Sequence, residues 1–125
     1  MQVLQSGFLN TKHTRAAYIV ALFGFLVNAV WAVANVFAGA MFVAVENALV
    51  SIFFLVALLL SKRDGHDAAA FLISLVFLVH MTFAALTFGY GSGAHQFFLL
   101  GTVIPYLVFP RSTRRAAHVF AVISG

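Results

Sequence analysis

The chain has 125 residues, of which 63% are hydrophobic and only 8% charged, and its mean hydropathy is +1.05. A water-soluble domain carries about 25% charged residues, so a water-facing globule is excluded: it would expose more apolar surface than a soluble monomer tolerates. The absence of cysteine removes disulfides, thiolate metal sites and thiol nucleophiles together.

What remains is an all-α fold, a polytopic helical membrane bundle. Unbroken apolar runs of spanning length must satisfy their backbone internally, which favours helices over the strands that Phe, Val and Ile would suggest in water. In chain order the expected helices are about 16–38, 41–60, 68–88 and 95–109, with a partial helix over 114–125, all forming one transmembrane domain. Breaks are expected at Ala38-Gly39-Ala40 and at the glycine-rich stretch from Phe88 to Gly93. Pro105 falls late in the fourth helix, where it is expected to kink it, and Pro110 marks its end. The last segment is apolar but about ten residues are too few to cross a bilayer. It is expected to be the start of a fifth helix, with a short interfacial helix as the other reading, so the chain resembles part of something longer.

All seven Lys and Arg residues fall in three places: Lys12 and Arg15, Lys62 and Arg63, and Arg111, Arg114 and Arg115. Neither intervening break contains one. The positive-inside rule then places the N-terminus and both basic loops in the cytoplasm. The formal charge of +4 therefore reports orientation in the lipid bilayer and not nucleic-acid binding. The expected location is a bacterial inner membrane, with the N-terminus inside.

Polar residues at membrane depth are costly and mark candidate functional positions. Asn28, Trp31 and Asn35 share a face of the first helix; Glu46, Asn47 and Ser51 are expected to share a face of the second; His80 and Thr87, seven apart, lie on one face of the third. Glu46 is the only acid inside the apolar regions. At 1.5 Å of rise per residue it lies about 8 Å from the outer end, and His80 about 12 Å, depths at which the two can pair. Asn35 and His95 stand at the outer boundary. The polar groups thus gather in the outer half, as a ligand or cofactor site opening outward or as hydrogen-bonded glue between helices.

Five histidines in a cysteine-free membrane chain also suit haem b, which needs only imidazole ligands. His80 and His95 are the candidates for one iron, although about 10 Å of helix rise separates them. His118, His13 and His66 flank the cytoplasmic side and are candidates for a second site. For His13 and His66, beside Lys and Arg, a solvated loop position is the alternative.

The stretch Gly89-Tyr90-Gly91-Ser92-Gly93-Ala94-His95-Gln96-Phe97-Phe98-Leu99-Leu100 resembles the glycine-rich turn, His or Gln and aromatics that open the fourth helix in the N-terminal six-helix membrane domains of bacterial nucleotide cyclases. His80, Asn47 and the basic connector Lys62-Arg63-Asp64-Gly65-His66 are similar to that pattern as well. Gln96 stands where such domains often have an aromatic, and helices five and six are largely missing. The resemblance covers the chain from about Asn10 and implies a receptor-like input domain ahead of an adenylate or diguanylate cyclase output domain in the same parent chain, working as a homodimer. It implies no catalysis within these residues, where no nucleophile, base and orienting group assemble. Two other functions stay open: a ligand-free membrane anchor or dimerisation domain, and a small multidrug-type proton-coupled transporter using Glu46. The strong basic bias and the position of Glu46 on the second helix count against the transporter.

Overall fold

The computed structural model describes residues 12–63, 66–89, 91, 98–109 and 114–124. Within them the chain forms five helices: α1 (Lys12–Phe37), α2 (Met41–Lys62), α3 (His66–Phe88), α4 (Phe98–Val108) and α5 (Arg114–Ser124). The first three are long and apolar enough to cross a membrane, which makes this a membrane protein in character. The described part of α4 has 11 residues, about 16 Å of helix, roughly half a hydrocarbon core. Residues 92–97 and 110–113 lie outside the described set, so the expected fourth span is seen only over its C-terminal part.

The expected break after α1 is a glycine-capped helix end. Gly39 has φ +75°, the left-handed region where a side chain is penalised. Its N–H donates to Val36 O at 3.1 Å, and the Ala40 N–H donates to Asn35 O at 2.9 Å. This pair of bonds is a Schellman cap, which satisfies the last carbonyls of α1. Gly89 closes α3 in the same region, φ +73°, with its N–H on Ala85 O at 2.9 Å. Both glycines stand at the same end of the α1–α3 hairpins, and Arg15, Lys62, Arg63 and Arg115 stand at the other, all four exposed.

Three pairs of close contacts fix the registers. Across α1 and α2, Lys62 Nζ sits 5.7 Å from the Tyr18 ring centre, and Ser51 Oγ donates to Phe25 O at 3.0 Å. The α2–α3 pair is joined by Phe42 with Phe83, ring centres 5.6 Å apart, and by Glu46 with His80. Between α4 and α5, the Tyr106 hydroxyl bonds His118 Nδ1, and the Phe109 and Phe120 rings stack at 6.1 Å. Thus α5 runs back antiparallel along α4, with Ser124 beside Gly101. Pro105 is fully buried inside α4, and the helix continues past it to Val108.

The interior is filled by Ala17, Ala21, Phe54, Ala57, Ile73, Val76, Phe109 and Phe120. Outside, Phe23, Val30, Val33, Leu49, Val79 and Leu86 are exposed. A surface this apolar is matched to hydrocarbon and not to water.

Candidate functional site

Glu46 and His80 meet across the α2–α3 seam, with Oε1 and Nδ1 2.7 Å apart. Their depths, counted from Met41 and Phe88, differ by about 4 Å, and the two side chains span that offset. The bond forms with the His80 Nδ1–H donating to a carboxylate, or with a protonated Glu46 donating to Nδ1; both leave the imidazole Nε2 outside the bond. The side chains are 16% and 17% exposed, Glu46 and His80 respectively. The second carboxylate oxygen of Glu46, Oε2, is buried and has no hydrogen-bond partner among the described residues. The only other such atom is Ser74 Oγ.

The remaining expected site residues do not join this pair. Asn28 and Asn47 are buried, and each turns its amide onto its own helix: Asn28 Nδ2 donates to Gly24 O at 2.7 Å and Asn47 Nδ2 to Val43 O at 2.9 Å. Asn35 does the same near the Gly39 end of α1, donating to Trp31 O at 2.8 Å, and Trp31 is exposed. Glu46 does not share a face with Asn47 and Ser51, as the sequence suggested. Successive helical residues are about 100° apart, enough to send Glu46 to α3 while Ser51 reaches Phe25 on α1. The polar residues of α2 therefore serve two seams.

The histidines divide similarly. His118 is exposed and bonds the Tyr106 hydroxyl through Nδ1, its ring edge-on to the phenol at 5.7 Å. The sequence reading missed Tyr106, which stands near the end of α4 as His118 stands near the start of α5. His95 lies outside the described residues, and so do the side chains of His13 and His66, which begin α1 and α3. Among the described residues no three His, Asp or Glu side chains come together to hold a metal ion.

Two further features of the seams carry no polar signal in the sequence. Phe42 and Phe83 pack across α2–α3 one turn nearer the Gly39 and Gly89 end than the Glu46–His80 pair. On the other seam a Cβ on Gly24 would come within 2.7 Å of the Phe54 ring, so glycine is what lets α1 and α2 approach. Compared with known proteins, the chain matches no family model, no curated protein and no solved structure.

Proposed function

We propose that this chain is the membrane input region of a signalling protein, with the Glu46–His80 pair as its receptive element. The observation that carries this reading is the 2.7 Å bond between two helices at membrane depth, with one carboxylate oxygen left unpartnered. Membrane-embedded ionisable pairs are expensive to maintain and mark positions that respond to a proton, a cofactor or a ligand. A bond that either partner can donate, and that ties α2 to α3, converts such an event into a change of helix packing.

The wider proposal is the one the resemblance at Gly89–Leu100 implies: four complete spans, the N-terminus in the cytoplasm of a bacterium, and a homodimer coupled to a cyclase domain in the parent chain. The gathering of Arg15, Lys62, Arg63 and Arg115 at the end opposite Gly39 and Gly89 supports that orientation.

Haem b is the cofactor this reading accommodates. His80 would hold the iron through Nε2, since its Nδ1 is oriented by a carboxylate, the usual arrangement behind a metal-bound imidazole. His95 would be the second residue holding it. When bound, haem would make the input sensitive to redox state or to a diatomic gas.

Membranes from cells expressing the full-length gene test the proposal. Cyclic nucleotide formation above the empty-vector level is expected, with Glu46→Leu and His80→Leu each changing its dependence on the stimulus. Formation unchanged by both substitutions would leave a plain anchor, and none at all would remove the cyclase output. In the same preparations, expressed with added haem, a Soret band lost or shifted in His80→Ala is expected; no band in the parent protein removes haem.

A further inference from the structure

The unspent oxygen of Glu46 and the way the seam is closed around it indicate what binds there. Oε2 is buried with no donor among the described residues. In hydrocarbon no bulk water supplies one, and an unsatisfied polar group costs several kcal/mol. On the outer side, the Phe42–Phe83 ring contact stands one helical turn beyond the pair, between it and the outer surface. On the inner side Val50 and Val76 are buried. Sideways the seam is different: Val45, Leu49 and Val79, next to the pair in sequence and turn, are 54%, 53% and 60% exposed. The side chains flanking the pair on that side face the bilayer, while on the outer side the two rings stand between the pair and the surface.

We propose that the outer half of the α2–α3 seam binds a membrane-partitioned amine, whose N–H donates to Glu46 Oε2 while its apolar chain lies along Leu49 and Val79. This deepens the reading of the pair as the receptive element and rests on it. A carboxylate oxygen accepts only, so the ligand must bring the donor, and an ammonium N–H forms a shorter and stronger bond than a neutral one. The positive charge also offsets the carboxylate in a medium of low dielectric. Fatty acids carry the wrong charge and hydrocarbons no donor. Because Oε2 is enclosed, binding requires a flanking side chain to turn; Leu49 and Val79, exposed on the lipid side, are the ones in the way.

The test is photolabelling of the full chain in phosphatidylcholine vesicles, a lipid with no N–H, using a long-chain alkylamine that carries a diazirine. Label is expected on Val45, Leu49 and Val79, competed by dodecylamine and not by dodecanoate. Glu46→Leu should reduce it at least about tenfold, the loss of one charge-assisted hydrogen bond. Val79→Trp, which fills the lipid-facing flank and leaves the pair in place, should reduce it as well, and this decides the matter if Glu46→Leu does not fold. Labelling unchanged by these variants, spread evenly over the lipid-facing Phe23, Val30 and Val33 of α1, or competed equally by dodecanoate overturns the proposal. Loss of label on adding phosphatidylethanolamine assigns the amine to a lipid headgroup; retention assigns it to a free amine. Labelling as expected with cyclic nucleotide output indifferent to dodecylamine sinks the signalling reading alone, and a responsive output with no localised label sinks the amine site alone.

Discussion

The two seams that α2 makes, with α1 on one side and α3 on the other, solve the same problem in opposite ways. Both bury polar groups in a part of the molecule matched to hydrocarbon. Against α1, Asn28 and Asn47 bond their own helices and Ser51 reaches across to Phe25 O. The helices close to the point where Gly24 meets the Phe54 ring. Against α3, the principal polar contact is a bond between two ionisable groups, and it leaves one oxygen without a partner. The first seam has a single comfortable arrangement. The second has at least two, because adding a proton or a donor changes which bonds are best. Where a fixed packing and an adjustable one share a helix, a signal at the second can move α3 relative to a rigid α1–α2 pair.

Breaking the adjustable seam has the largest expected effect. His80→Leu leaves the Glu46 carboxylate buried without its partner, at a cost of about 3 kcal/mol. Glu46→Leu removes the same interhelical bond from the other side and should also lower stability. The double substitution places leucines face to face and should recover most of the loss. Unfolding of the purified protein by sodium dodecyl sulfate in mixed micelles measures all three. Single losses that simply add in the double variant would show that the two residues act independently.

Breaking the fixed seam comes next. Gly24→Ala puts a methyl group 2.7 Å from the ring of Phe54, which is 3% exposed and enclosed by the core. Overpacking of this kind costs about 1–3 kcal/mol. The same micelle titration should show Gly24→Ala lowering stability while the Glu46–His80 bond persists, read from the His80 ring nitrogen resonances. A resonance shift as large as that in Glu46→Leu would mean that the two seams are not separable.

How much of this was legible in the sequence follows from the same contrast. Helix limits were readable because lipid admits few alternatives and because Gly39 is the residue a left-handed cap requires. The depth agreement between Glu46 and His80 was readable from helix rise alone, and the two are bonded. Which face of a helix meets which neighbour was not. In a soluble helix the apolar stripe marks the buried face, whereas here nearly every face is apolar and packing is decided by shape. The separation of Glu46 from Asn47, the approach of Gly24 to Phe54 and the pairing of Tyr106 with His118 all depend on such faces. The asparagines misled for a related reason: a polar side chain in lipid can find an acceptor on its own helix, and sequence cannot distinguish that from a bond to a neighbour.

That distinction gives the smallest and most discriminating effect. Transmembrane helices form before they associate, so a hydrogen bond inside one helix is present in both the separated and the packed states. The Asn47 amide on Val43 O and the Asn28 amide on Gly24 O then contribute almost nothing to holding α1 against α2. The Ser51 hydroxyl on Phe25 O exists only when the helices are together, and bonds of that kind contribute about 0.6 kcal/mol. Ser51→Ala should therefore weaken the α1–α2 seam by about that amount, while Asn47→Leu, which keeps the branch at Cγ, should leave it nearly unchanged. The micelle titration, with Gly24→Ala as the reference for a disrupted seam, resolves the two. A loss in Asn47→Leu exceeding that in Ser51→Ala would mean that Asn47 bonds across the seam, and that the fixed side of α2 is held by polar contacts after all.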